Sequence, residues 1–242
     1  WKSGYAMNDV GSMTHDAHGL KPTGSAGYRM AALAGDGIGP EILEAAQAVV
    51  DAAAGRCGVR IEWVPLPMGR EALKSDGDPM PASTVDALRD CHGCLMGPHD
   101  SASYPKSWHA RRTKPPAGVL RIDLDLHLNI RPARSIPGIG RDGLDVAIVR
   151  ENTEGFYADR NMFIGVGEFM PSPDVALSVG VFTRVAIERA AVGACELAVR
   201  RRGRLAIVHK ANVLPLTTGL FRDVCVEVAS RYDGLDVSDY HA

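Results

Sequence analysis

Basic and phenolic side chains stand at the ends of apolar runs, where they could bind and transform an anionic molecule. Lys210 closes the run that begins at Leu205, and Arg150 closes the run that begins at Leu144. Guanidinium groups hold carboxylates in a planar, two-pronged geometry, so several arginines suit a substrate with several carboxylates. The sequence therefore predicts an anionic-substrate site built from Arg121, Arg131, Arg150, Tyr157 and Lys210.

Tyr157 and Lys210 are the candidates for proton transfer. An anionic substrate that reacts in such a site needs a base that removes a proton and an acid that returns one. A lysine acts as a base where burial and nearby positive charge favour its neutral form. Taken without its motif, a tyrosine is more often a core residue and a lysine an exposed one. A single arginine is more often a member of a surface ion pair. Their motifs carry the functional interpretation.

A glycine-rich segment, Gly35-Asp-Gly-Ile-Gly-Pro-Glu41, lies between a predicted strand and a predicted helix. It resembles a dinucleotide fingerprint, but Pro40 occupies the last position and no suitably placed acidic residue follows the next strand. Glycines permit a tight turn, and a helix that begins at Pro40 offers an N-terminus that favours anions. On composition alone, a structural turn and a ligand-binding turn remain equal interpretations.

Apolar patterns predict alternating strands and helices, which favours a layered α/β fold with a mostly parallel sheet. The predicted helices and the remaining strands position the motifs above. Residues 97 to 118 are predicted as loop, and residues 161 to 181 as β structure. The strands are Met30–Ala34, Val59–Trp63, Gly93–Met96, Leu144–Val149 and Leu205–Val208, and the helices are Pro40–Ala54, Val85–Arg89, Phe182–Arg202 and Pro215–Arg231.

The composition is that of an ordinary globular enzyme, with 45% hydrophobic residues and a net charge of −2. This charge gives no reason to expect nucleic acid or a membrane surface as a partner. Five cysteines at irregular spacings do not form a disulfide framework, so a reducing cytoplasm is expected. Cys91 and Cys94 have redox or half-zinc spacing, but without a second pair we interpret them as buried thiols.

Together these motifs resemble those of the metal-dependent β-decarboxylating dehydrogenases, the family of isocitrate, homoisocitrate and 3-isopropylmalate dehydrogenases. The resemblance runs from about Met30 to Ala242. It implies an isopropylmalate dehydrogenase-like two-domain layered fold with a mostly parallel sheet and a β dimer arm. Residues 1 to 29 are then a disordered leader, 30 to 127 the N-terminal part of a cofactor-side domain, and 128 to 242 a substrate and dimerisation domain.

The resemblance also implies a part for each candidate residue. Arg121, Arg131 and Arg150 match the family's three substrate-binding arginines in order and spacing. Tyr157 corresponds to the acid, and Lys210 to the base, which acts in the cleft of the partner subunit of a homodimer. Cofactor contacts are expected from Gly37 and Ile38 of the first loop and from Asn212 on the nicotinamide side.

The family uses NAD or NADP together with Mg²⁺ or Mn²⁺, whose aspartate ligands follow the Lys-x-Asn motif. The chain ends near that point, so we expect it to be truncated, name no metal ligand and expect no turnover by the chain alone. Asp233, Asp236 and Asp239 are interpreted as a solvated loop face.

The motifs favour a tricarboxylate of the isocitrate or homoisocitrate kind, because the segments after Arg150 and around Lys210 are closest to those members. Residues 111 to 118, which should read the substrate's side chain, depart from the family patterns. 3-Isopropylmalate, D-malate and tartrate therefore remain alternatives, as does the choice of NAD or NADP. A second hypothesis is a catalytically incomplete chain of the same fold, acting as a binding or regulatory partner.

Overall fold

A computed structural model describes residues 27 to 110, 114 to 156 and 167 to 242, which form two compact units divided between residues 113 and 114. The sequence predicts a domain boundary at residue 128, fourteen residues later. The difference concerns one helix, Pro116–Asp123, which belongs to the second unit.

The first unit contains a parallel three-stranded sheet in which β1 lies between the other two strands. β1 begins at Gly27 rather than Met30, because its pairing with β2 starts at Gly27 opposite Arg60. Its Ala31 and Leu33 side chains are fully buried. The elements of this unit are β1 (Gly27–Leu33), α1 (Gly39–Arg56), β2 (Arg60–Pro65), α2 (Arg70–Asp76), α3 (Ala82–Arg89), β3 (Gly93–Met96) and α4 (Lys106–Ala110).

The second unit contains three two-stranded sheets within the described residues. β4 and β5 are antiparallel, β6 and β7 form an antiparallel hairpin, and β8 and β9 are parallel. Its elements are α5 (Pro116–Asp123), β4 (Leu128–Arg134), β5 (Asp145–Glu151), β6 (Glu168–Ser172), β7 (Val175–Ser178), α6 (Arg184–Arg200), β8 (Arg204–His209), α7 (Thr217–Ala229) and β9 (Asp236–His241).

α6 and α7 pack against β8 and form the core of the second unit. Ile187 and Cys195 of α6 meet Val224 and Val228 of α7 in a cluster that also contains Ile207 of β8. Both valines and the cysteine are fully buried. This burial follows from the apolar stripe that each helix carries at helical spacing.

Five elements differ from the sequence-based expectation. β4 contains the Arg131 motif but is not predicted as a strand, and it forms by pairing with β5. The predicted loop of residues 97 to 118 contains α4 and the start of α5, because Pro116 occupies the first turn of a helix rather than breaking one. α2 was not predicted, since this short helix has no apolar stripe and is bounded by Gly69 and Gly77. β9 was also missed, because its residues are exposed and it forms by pairing with β8.

Among the described residues, no helix is both long and apolar enough to cross a membrane. All five cysteines are free thiols. Cys91 is buried, as predicted, whereas Cys94 is half-buried, and burial raises the pKa of both thiols. Burial also raises the pKa of the Cys225 thiol to about 12, which keeps it protonated in the core.

We expect Val224→Ala to lower the free energy of unfolding by about 2–3 kcal/mol, because it removes buried carbons and leaves a cavity among α6, α7 and β8. Val226 lies on the same helix but is 47% exposed, so Val226→Ala should change the free energy of unfolding by less than about 0.5 kcal/mol. Urea unfolding followed by circular dichroism would measure both. Equal losses in the two variants would contradict the placement of this core.

Candidate active site

The β4–β5 ribbon brings two of the predicted arginines to one face. Arg150 pairs with Asn129, and Arg131 pairs with Ile148. Residues directly opposite one another share a face of an antiparallel pair, as do residues two apart on one strand. Arg131 and Arg150 therefore lie diagonally on the same face, and both are exposed. Nε of Arg131 donates to the Asn129 side-chain oxygen at 2.9 Å, which orients its guanidinium.

The loop after β5 is organised by Glu151, whose importance the sequence did not reveal. Its carboxylate accepts the Thr153 and Glu154 backbone N–H groups, each at 2.8 Å, and also the Thr153 hydroxyl. Asn152 ties the same loop to the turn before β4, because its backbone N–H and side-chain amide donate to the carbonyls of His127 and Leu126 at 3.0 and 2.9 Å. These bonds fix the end of β5 at Arg150.

Arg189 of α6 adds a further cation beside this loop. It forms an ion pair with Asp125 at 2.7 Å, and its second terminal nitrogen donates to the Thr153 hydroxyl at 3.3 Å. Its buried Nε has no hydrogen-bond partner among the described residues. Asp125 has a φ of +45°, a region that favours glycine, so the turn before β4 is held in a strained conformation. No motif in the sequence indicates this contact, because Asp125 lies 64 residues from Arg189.

Arg121 lies on α5, the helix that precedes β4, and is half-buried. Its backbone carbonyl accepts the Leu126 N–H at 2.9 Å, where the chain leaves the helix. Arg121 is thus on a separate element from the ribbon that carries Arg131 and Arg150. Tyr157, the predicted acid, lies outside the described residues.

Lys210 and Asn212 are exposed in a turn that follows β8. The Val213 and Leu214 N–H groups donate to the Lys210 carbonyl at 3.0 and 2.9 Å. The Lys210 Nζ donates to the Ala242 carbonyl oxygen, beside the end of β9. This turn therefore presents an amine and an amide to solvent from a fixed backbone.

A cavity of about 1200 Å³ lies within the second unit and is lined by β5, β8 and α6. Its walls are largely apolar and include Ile148, Ile207 and Phe221, with Arg150 and Glu151 also in the lining. Among the described residues, β5 pairs only with β4 and β8 only with β9. The predicted arginine thus borders a space large enough for a small molecule.

In the first unit, the predicted glycine turn connects β1 to α1. Gly35 and Gly37 have φ of 72° and 59°, and a Cβ at Gly35 would lie 2.1 Å from the Pro98 carbonyl oxygen. Gly37 has open space around its Cβ position, and Ile38 is 59% exposed. Ile38 caps α1 without a side-chain hydrogen bond. Glycine is thus required at position 35 for packing, whereas the surface at 37 and 38 is open to a ligand.

Asp36 is the buried carboxylate that holds this turn, and the sequence gave no indication of it. It accepts the N–H groups of Arg70 and Asp100 at 2.7 and 2.8 Å and the Tyr104 hydroxyl at 2.7 Å. Burial, the largest single influence, acts to raise its pKa, but these hydrogen bonds together hold the pKa below its usual value. Burial and the same carboxylate raise the pKa of Tyr104.

The described residues contain no cluster of three or more His, Cys, Asp or Glu side chains that could hold a metal ion. The acidic residues of the C-terminal segment have other contacts. Asp236 lies 3.9 Å from Arg204, and Asp239 lies 3.1 Å from His209. The residues described thus do not fit a metal centre by themselves.

The second unit thus presents two arginines on one face of a strand ribbon and a lysine after a strand end, an arrangement that suits contact with anions. The family model for isocitrate/isopropylmalate dehydrogenase matches residues 29 to 241. The chain belongs to that family, which confirms the predicted resemblance and α/β fold class.

Its relatives include the isocitrate/homoisocitrate dehydrogenase of Thermus thermophilus, 39% identical over 216 residues, with 88% of this chain and 59% of the relative covered. The 3-isopropylmalate dehydrogenase of Archaeoglobus fulgidus is 35% identical, with coverage of 88% and 60%. The crystal structure of isocitrate dehydrogenase from Methylococcus capsulatus matches with a TM-score of 0.72 at 34% identity, covering 88% of this chain and 60% of that one. The chain thus spans about three fifths of the relatives that it matches.

We expect Asp36→Asn to lower the free energy of unfolding by about 2 kcal/mol at pH 7, because a neutral amide cannot accept from all three donors. Tyr104→Phe removes one of these three donors and should lower the free energy of unfolding by about 1 kcal/mol. The Asp36 pKa is depressed in the folded protein, so its stabilisation is present above the unfolded value of about 3.9 and is lost as pH falls through the folded value.

Urea unfolding at pH 7 and at pH 3 would test this. The gap between the wild type and Asp36→Asn should narrow at the lower pH. A gap that stays constant or widens on acidification would show that the Asp36 charge does not stabilise the folded turn.

Proposed function

We propose that this chain carries the substrate-binding and proton-transferring residues of an NAD- or NADP-dependent enzyme that oxidatively decarboxylates a 2-hydroxy-3-carboxy acid. The preferred substrate is of the isocitrate or homoisocitrate kind. One observation carries the proposal: Arg131 and Arg150 lie exposed on the same face of the β4–β5 ribbon. The spacing of that diagonal pair suits two carboxylates of one small molecule.

In this proposal the arginines bind the substrate's carboxylates through paired N–H donors, and Arg121 contributes a third such fork. Lys210 takes the proton from the substrate hydroxyl as hydride leaves the same carbon. The C–C bond to the 3-carboxylate then breaks, CO₂ departs, and the electron pair stays on the substrate as an enolate. Tyr157 donates the proton that converts this enolate to the 2-oxo acid.

A nicotinamide cofactor, when bound, would supply the hydride acceptor. The residues that would hold it are Gly37 and Ile38, whose surface is open at the start of α1, and Asn212 in the turn after β8. Mg²⁺ or Mn²⁺ belongs to the proposal through the family resemblance alone. The described residues offer no cluster of three or more His, Cys, Asp or Glu side chains to hold it.

A second candidate is a chain of the same fold that binds ligands without completing the reaction. Such a chain would use the exposed Arg131 and Arg150 of the β4–β5 ribbon to bind anions. The intact set of Arg121, Arg131, Arg150 and Lys210 favours catalysis instead.

The test is a chimera in which residues 29 to 241 replace the matching part of the Thermus relative. We expect turnover of isocitrate or homoisocitrate above 3-isopropylmalate, D-malate and tartrate, assayed with NAD and NADP and with Mg²⁺ or Mn²⁺. A folded chimera without turnover of any substrate, beside an active Thermus parent, would support the binding-only candidate.

In the active chimera, Arg131→Ala should raise the transition-state barrier by about 2–5 kcal/mol, measured as the fall in kcat/KM. Arg134 lies on the same strand with its side chain 78% exposed and pairs with Asp145, so Arg134→Ala is the matched control. The kcat/KM of Arg134→Ala should stay within about twofold of that of the unsubstituted chimera. An unchanged kcat/KM in Arg131→Ala would remove Arg131 from the site.

We further propose a homodimer with shared active sites. The β6–β7 hairpin is exposed throughout, and its Phe169, Met170, Val175 and Leu177 place apolar side chains in solvent. Apolar patches of this kind are typical of interaction surfaces. A self-complementary hairpin would bury them against a second copy.

If each active site combines residues of both subunits, two different inactive subunits should restore activity when they form a heterodimer. Lys210→Ala and Tyr157→Phe chimeras, co-expressed with different tags and purified through both, should regain activity at one of the two sites of each heterodimer. Lys210→Ala paired with itself is the control and should stay inactive. If heterodimers confirmed by mass show no activity, Lys210 and Tyr157 act in the same subunit.

A further inference from the structure

The turn that carries Lys210 is held from inside by the preceding residue. The His209 side chain is fully buried, whereas Lys210 is exposed. Nδ1 of His209 accepts the backbone N–H of Ala211 at 3.1 Å, and Nε2 lies 3.1 Å from the Asp239 carboxylate of β9. One imidazole therefore joins the turn after β8 to the neighbouring strand.

These contacts assign the tautomer of the ring. Because Nδ1 accepts a hydrogen bond, it carries no proton, and the proton of the neutral ring lies on Nε2. Nε2–H then donates to Asp239, and a carboxylate in that position holds both the tautomer and the ring orientation. The opposite tautomer would point Nδ1–H at the Ala211 N–H and break the bond that closes the turn.

The β8–β9 pairing supports the same arrangement. His209 is opposite His241, and their rings meet edge to face at 5.1 Å. The Ala242 N–H donates to the His209 carbonyl at 2.8 Å, and the Ala242 carbonyl accepts from Lys210. The backbone on both sides of Lys210 is thus tied to β9.

We propose that His209 is a positioning residue that fixes the turn presenting Lys210 and Asn212, and that Asp239 sets its tautomer. The catalytic meaning of this positioning rests on the proposed function, but the positioning itself does not. A histidine that merely filled the core would stabilise the unit without controlling the Ala211 amide. The two contacts can be separated, because asparagine and glutamine each replace one ring nitrogen.

His209→Asn places an amide oxygen near the position of Nδ1 and keeps an acceptor for Ala211. His209→Gln places its amide near Nε2 and keeps a partner for Asp239 but not for Ala211. Amide hydrogen exchange of the ¹⁵N-labelled chain should leave Ala211 protected in the wild type and in His209→Asn. In His209→Gln its exchange should accelerate roughly tenfold or more, because the amide loses its acceptor.

The wild-type ring itself gives a second measurement that does not depend on any variant folding. Imidazole ¹⁵N and ¹³C shifts should show the Nε2–H tautomer, retained in Asp239→Asn and mixed or lost in Asp239→Ala. An Nδ1–H tautomer in the wild type, or equal Ala211 exchange in the Asn and Gln variants, would overturn the proposal.

Turnover distinguishes this inference from the proposed function. In the active chimera, His209→Gln should lower kcat roughly tenfold or more with a smaller change in KM, and His209→Asn should recover most of the loss. Equal kcat in the two variants would overturn positioning of the catalytic amine. If Lys210→Ala retains full turnover while the Ala211 and tautomer results hold, the proposed base is wrong and the positioning of the turn stands.

Discussion

Backbone N–H groups near the end of a strand need hydrogen-bond acceptors once the sheet no longer supplies them. This requirement shapes all three candidate loops. Asp36 follows β1 and accepts the N–H groups of Arg70 at the start of α2 and of Asp100 after β3. Glu151 accepts two N–H groups of the loop after β5, and His209 accepts one after β8. An unpaired buried amide costs about 1–3 kcal/mol, so a side-chain acceptor at the strand end decides whether the loop has one conformation. Each acceptor is the immediate neighbour of a residue proposed to bind or react.

The alternation of side chains along a strand explains why acceptor and functional residue are neighbours. Successive side chains point to opposite sides of extended chain, so a residue turned inward is followed or preceded by one turned outward. His209, the last residue of β8, is buried beside exposed Lys210. The inward residue supplies rigidity, and the outward residue remains available to a ligand. Rigid support of this kind is what an exposed catalytic group requires.

This division also accounts for what the sequence could and could not predict. The outward residues stand in motifs with recognisable spacing, so the sequence predicts Arg131, Arg150 and Lys210 as site residues. It also predicts β5, which contains Arg150, and β8, which ends just before Lys210. It does not predict β4, the strand that carries Arg131. Two of the acceptors, His209 and Asp36, depend on partners 30 or more residues away, Asp239 and Arg70, and no local pattern encodes those contacts. β9 was missed for the same reason, since its exposed residues become a strand only through pairing with β8.

Charge is distributed unequally along β5, and the inequality favours ligand binding at one end. At the start of the strand, Asp145 pairs with Arg134, Arg201 and Arg202, and the hydrogen bond from Arg201 leads the interactions that lower the pKa of this carboxyl. At the other end, Arg131 donates to the neutral amide of Asn129, which orients the guanidinium without offsetting its charge. Arg131 and Arg150 are both exposed, so water screens the repulsion between their like charges. The electrostatic cost of placing them on one face is therefore small in the unliganded protein. A carboxylate that displaces this water forms a charge-assisted, two-pronged bond to the Arg131 guanidinium. Because Asn129 already orients the guanidinium, less side-chain entropy is lost on binding and the affinity is higher.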